Sequence, residues 1–152
     1  MKLAEALQER ADLNRKIDQL ESRISSNVLV QEGEKPNEDP NAMLVELKES
    51  VSRLEILMSK INLTNCTVKV EGVSLTDMIA KKDTLKLLYN AYREAISAAS
   101  RKTDRARGSE IRILPVIDVA ALRKEADAIA KELRLIDNKL QQANWTFDLI
   151  EE

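Results

Sequence analysis

Residues 41–62 read NAMLVELKESVSRLEILMSKIN. Leu44, Leu47, Val51, Leu54, Met58 and Ile61 recur there at alternating steps of three and four, with no glycine or proline among them. That spacing keeps apolar side chains on one face of an α-helix and is the pattern of coiled-coil or bundle packing. Asp39-Pro40 just before it supplies a helix cap and a proline suited to the first helical turn.

Outward from this stretch the same logic repeats three times. Residues 2–26 carry Leu3, Ala6, Leu13, Ile17, Leu20 and Ile24, interrupted by Arg10. Residues 76–104 carry Met78, Leu85, Tyr89, Tyr92, Ile96 and Ala99, interrupted by Lys82. Residues 119–143 carry an unbroken seam from Val119 through Leu122, Ala126, Ile129, Leu133, Ile136 and Leu140 to Ala143. Gly33, Gly72 and Gly108, with Pro36, Pro40 and Pro115, are all the glycines and prolines of the chain, and they fall between these stretches. Helix interiors tolerate those two residues least, so their confinement divides the chain into helix, linker, helix, linker, helix, linker, helix. The expected fold is mainly α: four long heptad-patterned helices, as an up-down bundle or as paired helical hairpins, in one domain spanning 1–152. The linkers lie at about 27–40, 63–75 and 105–117, and an apolar tail at 144–152.

The linkers carry β signals. Val68-Lys69-Val70-Glu71-Gly72-Val73-Ser74-Leu75 alternates about a Glu-Gly turn and predicts a small hairpin. Val28-Leu29-Val30 and Ile111-Arg112-Ile113-Leu114 are short strand candidates, expected to meet within one chain or between chains. Asp118 is placed to cap the fourth helix. Asp12–Lys16, Glu49–Arg53 and Asp127–Lys131 place acid before base at four-residue spacing on outer faces.

Composition narrows the function. The 152 residues hold 43% hydrophobic and 33% charged side chains, which makes a globular chain long enough to bury a core. A formal charge of −2 gives no global field for nucleic acid or acidic membranes. The absence of histidine removes the commonest general base, the usual zinc sites and the Glu-x-x-His di-iron motif. No apolar run reaches the length of a membrane span, and Met1-Lys2-Leu3-Ala4-Glu5 does not read as a signal peptide, so a soluble cytoplasmic protein is expected. No catalytic constellation is seen, and neither a cofactor nor a metal is called for.

Six features merit a functional reading beside a plain one. Arg101, Lys102, Arg105 and Arg107 form a basic segment that could contact an anion or nucleic acid. No aromatic residue interleaves for base stacking, so a solvated helix end fits it better. Glu32, Glu34, Glu38 and Asp39 make the first linker acidic, yet without the spacing of a calcium loop; the two linkers can neutralise one another. Arg10 and Lys82 either fix helix register or lay their stems along the seam with the charge outside. Tyr89 and Tyr92 face one way, as pocket residues or as core with hydroxyls at the edge. Cys66, the one cysteine, has no histidine to activate it and reads as a structural thiol. In the tail, Trp145, Phe147 and Leu149 must pack on something, either the chain's own bundle or a neighbouring subunit. The second and third helices, at about 33 Å and about 43 Å, differ in length, so a simple bundle leaves seam uncovered. That predicts a homo-oligomer.

Several segments taken together resemble a family of small bacterial proteins described as septicolysin-like. They are Leu29-Val30-Gln31-Glu32-Gly33-Glu34 with Glu38-Asp39-Pro40, Ile61-Asn62-Leu63-Thr64-Asn65 and Leu75-Thr76-Asp77. The likeness continues through Ser109-Glu110-Ile111-Arg112, Asp118-Val119-Ala120-Ala121-Leu122 and Gln142-Ala143-Asn144-Trp145. It covers nearly the whole chain and departs at Gln142, where an acidic residue is expected. The resemblance implies a helical fold, a bacterial source and no assigned active site; the label implies a membrane-active cytolysin. The residues themselves favour a non-enzymatic, self-associating interaction module, with nucleic-acid contact through 101–107 as the alternative and the cytolysin reading third.

Overall fold

The computed structural model describes residues 1–101 and 112–151. Helix accounts for 75% of them. The elements run α1 (Leu3–Asn27), α2 (Pro40–Thr67), β1 (Lys69–Val70), β2 (Val73–Ser74), α3 (Leu75–Ala99) and α4 (Val119–Thr146). The four expected helices and the expected hairpin are therefore present. The basic residues Lys102, Arg105 and Arg107, together with Ile111, lie outside the described residues, while Arg101 is exposed.

Local chemistry explains where the elements start. Asp39 accepts from the Asn41 N–H at 2.9 Å, with Pro40 at the first helical position of α2. Asp118 accepts from the Ala121 N–H at 3.1 Å and starts α4. Ser74, expected in the hairpin, ends β2 and also caps α3 by accepting from the Asp77 N–H at 3.1 Å. Between the strands, Glu71 and Gly72 both have positive φ, 52° and 84°. Two central residues in that region make a type I′ turn, whose twist suits a two-residue hairpin loop.

Helix α2 continues to Thr67, past the expected end at residue 62. Its added turn is anchored by Thr64, whose hydroxyl donates to the Lys60 carbonyl at 2.8 Å. Helix α3 stops at Ala99, short of residue 104. Ser100 folds back there, its hydroxyl donating to the Ile96 carbonyl at 2.7 Å. Neither Val28-Leu29-Val30 nor residues 112–114 form strands. Leu29 and Leu114 are among the more exposed apolar side chains, with no flanking strand to cover them.

The chain divides into two compact units. The first comprises Met1–Lys69 and Ala143–Glu152, thus α1, α2 and the last turn of α4 with the tail. Here α1 and α2 pack antiparallel around Leu3, Leu20, Leu57 and Ile61, all essentially inaccessible to water. The tail lies against the N-terminus: Leu3 N–H donates to the Phe147 carbonyl at 3.0 Å and Leu149 N–H to the Met1 carbonyl at 2.8 Å. Lys2 pairs with Asp148 at 3.0 Å, holding that carboxyl below its ordinary range through a hydrogen bond and the nearby charge. Leu149 is buried and Phe147 half-buried, whereas Trp145 stays 55% exposed.

The second unit, Val70–Gln142, holds the hairpin turn, α3 and most of α4. Its buried apolar residues are Leu75, Met78, Ala126 and Leu140. Antiparallel α3 and α4 are tied by Lys81–Glu132 at 2.7 Å, Lys82–Asp137, and the Tyr92 hydroxyl donating to Glu125 at 2.7 Å. Lys82, the polar break in the third seam, is half-buried and ends on a carboxylate of the facing helix.

Candidate interaction surface

The α1–α2 interface does not follow the line of apolar residues most evident in α2. The residues turned most fully inward are Met43, Ser50, Leu57, Ile61 and Thr64, with Leu47 and Leu54 half-buried among them. Two of these are polar. Ser50 and Thr64 are buried because each hydroxyl is already satisfied by a carbonyl one turn back, Glu46 for Ser50 and Lys60 for Thr64, both at 2.8 Å. Small side chains also let the helices approach closely. The expected seam is thereby split. Leu47, Leu54 and Ile61 belong to the interface, while Leu44, Val51 and Met58 lie beside it, 40%, 47% and 45% exposed.

Helix α2 is therefore two-sided in a particular sense. At about 100° per residue, the row Leu44, Val51, Met58 lies on the flank of the buried row, continuous with it. A helix carrying two adjacent apolar rows is built for two neighbours. Within its unit only α1 runs alongside as a full helix. Val45, Ile56 and Leu63 are also exposed on the far side, where Ser52 and Ser59 interrupt them.

Charges divide along the same line. On the edge toward α1, Arg53 makes a bidentate pair with Glu9, at 2.6 and 2.9 Å. One heptad away Lys16 meets Glu46 at 2.8 Å, and a heptad further along α1, Arg23 pairs with Glu38. Hydrogen bonding to these cations pulls the Glu9, Glu46 and Glu38 carboxyls below their ordinary range, and the same contacts hold Arg53 and Arg23 above theirs. The four-residue partners read from the sequence, Asp12 for Lys16 and Glu49 for Arg53, yield to these cross-helix ones. Asp12 pairs with Arg15 instead. On the opposite edge of α2 stand Lys48 and Glu55, both exposed.

The other sequence candidates separate in space. Glu38 is engaged by Arg23 and Asp39 by the α2 cap, while Glu32 and Glu34 stay exposed, so the acidic linker does not converge. Among the described residues no group of three His, Cys, Asp or Glu side chains is placed to hold a metal. Tyr92 hydrogen-bonds Glu125, which raises its phenol above the ordinary range, and Arg93 lies 5.8 Å from the Tyr89 ring centroid. Tyr92 thus ties α3 to α4, while the contact of Tyr89 is with its own helix. Cys66 is exposed in the last turn of α2. A cleft of 270 Å³ in the second unit takes its apolar lining from Val70, Val73, Met78, Leu135 and Ile136. The lysines at its rim are each tied to a carboxylate, Lys81 to Glu132 and Lys139 to Glu71, which leaves neither ammonium to orient an anionic ligand.

The fold is that of a small four-helix protein with a β-hairpin between its second and third helices. The chain belongs to a family of unknown function, DUF6847, whose sequence profile matches residues 10–149. It is similar to a functionally unknown conserved protein from Corynebacterium diphtheriae, known from its crystal structure. The two share 34% identity over 99% of each chain, with a TM-score of 0.93. The helical architecture expected from the resemblance holds, and the family shown is one of unknown function. Among curated proteins no match is found. Among the described residues no helix is long and apolar enough to cross a membrane.

Proposed function

We propose that this chain is a non-enzymatic helical interaction module that works by self-association. The observation that carries this reading is the second apolar row of α2, Leu44, Val51 and Met58, exposed beside a well-buried one. Exposed apolar surface contiguous with a core stripe is the usual mark of a protein-binding face. Support comes also from the ionisable side chains. Asp39 serves as a helix cap, Glu38 and Lys82 sit in ion pairs, and Tyr92 is held by Glu125, so these four are spent on structural contacts.

Sedimentation equilibrium of the full chain, at micromolar to submillimolar concentration, tests the reading. The expected result is a mass that rises above 17.2 kDa with concentration. A mass fixed at the monomer value across that range overturns it.

A further inference from the structure

We infer that α2 packs antiparallel against α2 of a second copy, across a two-fold axis at Val51. This deepens the self-association reading and rests on it.

The internal edge of α2 shows how the chain writes an antiparallel contact. Glu46 and Arg53 are one heptad apart and opposite in sign, acid first. The facing helix α1 offers Glu9 and Lys16, also acid first and one heptad apart. Because the helices run in opposite directions, each charge meets its opposite.

The outer edge carries a row of the same kind, exposed along its length. Asn41, Lys48, Glu55 and Asn62 follow one another at heptad intervals, all exposed. Neither Lys48 nor Glu55 makes an ion pair among the described residues. The row borders Leu44, Val51 and Met58, and it is complementary to itself in reverse. Set two copies antiparallel about Val51, and Lys48 faces Glu55 of the second copy while Glu55 faces its Lys48. Asn41 faces the far Asn62, Leu44 faces the far Met58, and the two Val51 side chains meet on the axis. A parallel two-fold pairing would instead put the two rows on opposite sides of the contact, where neither Lys48 nor Glu55 meets its opposite in the other copy's row. Charge complementarity thus selects both the occupant, a second copy, and its direction.

The contact is isologous, each patch serving both sides, so it closes at two subunits. It runs along about 30 Å of helix. Because α1 already holds α2 rigid along its other edge, little ordering is required on association.

Charge reversal tests this with the full chain. Lys48→Glu leaves two carboxylates in the row, and Glu55→Lys leaves two ammoniums. Each single substitution sets two like-charged pairs across the axis and is expected to weaken self-association about tenfold or more. The double variant K48E/E55K restores opposite charges and is expected to associate like the original chain. An equimolar mixture of the two single variants makes every cross-axis pair attractive, and heterodimers are expected in it. Both positions are exposed, so circular dichroism of the single variants, and their Tm measured at concentrations below association, should match the original chain. If the chain self-associates but the single reversals leave its affinity unchanged, this surface is overturned while the self-association reading stands. The surface is likewise overturned if mixing fails to recover the dimer. A chain monomeric throughout overturns both.

Discussion

Thr64 joins helix α2 to the tail through one hydroxyl. It is fully buried, donates to the Lys60 carbonyl and accepts from the Ile150 N–H at 2.9 Å. Thr64→Val keeps the shape and removes both bonds, leaving the Ile150 amide without its acceptor. The expected loss is about 1–3 kcal/mol, read by urea denaturation, with Thr64→Ser losing less. Glu71 presents the opposite case. Its backbone sits at φ 52°, where a β-carbon is unfavourable, and its carboxylate meets Lys139 at an exposed surface. Asparagine tolerates that backbone better, while an exposed pair contributes at most about 1 kcal/mol. Glu71→Asn is therefore expected to leave stability equal or slightly raised, and Glu71→Val to lower it by about 1–2 kcal/mol. A drop in Tm for the asparagine variant would show that the Lys139 contact outweighs the backbone.

At the scale of elements, the charged edge between α1 and α2 makes stability depend on acid. Glu9, Glu46 and Glu38 all have folded-state pKa values below the ordinary 4.5, because Arg53, Lys16 and Arg23 stabilise their charged forms. The unfolded chain binds protons first as pH falls. Their contribution is therefore complete above about pH 5 and lost progressively as pH drops through and below the ordinary carboxylate range. Tm measured from about pH 7 to about pH 2 should be flat and then fall, and the triple variant Glu9→Gln, Glu46→Gln, Glu38→Gln should fall less steeply. High salt should reduce the difference between the two, since all three pairs are exposed to screening.

Helix α2 also marks how far the sequence could be read. Its existence and its cap at Asp39-Pro40 were plain from the heptads and the proline. Its orientation was not. Counting apolar residues favours Leu44, Val51 and Met58 over a row containing Ser50 and Thr64. The polar pair is buried only because each hydroxyl returns to its own helix, a compensation that composition does not display. The same limit hid the cross-helix partners of Lys16 and Arg53, since side chains four residues apart are visible in sequence and facing helices are not. The tail was legible as a segment needing cover. That Phe147 and Leu149 would meet Met1 and Leu3 depends on backbone hydrogen bonds between the two ends, which carry no side-chain signature.

At the scale of the molecule, the two units differ in how thoroughly they bury their cores. Leu3, Leu20, Leu57 and Ile61 in the first are sealed. In the second, the seam residues Leu85, Tyr89 and Ile96 are only half-buried, and Leu87 is 71% exposed. Amide hydrogen exchange should accordingly be slowest in the α1–α2 seam and faster along the second half of α3. Uniform protection of the four helices would show that the chain opens only as a whole.

The meeting of the two ends has a topological consequence. Met1 and Leu149 are hydrogen-bonded neighbours, so the polypeptide is nearly a ring whose order of helices is a matter of where it is cut. A short glycine-serine bridge from the tail to Met1, with new ends opened in the exposed turn at Glu32-Gly33, should yield a circular permutant that keeps the helical circular dichroism of the original. Cutting within α2 instead should abolish it. A donor and an acceptor dye attached at Met1 and Glu151 should likewise report close proximity, lost on unfolding.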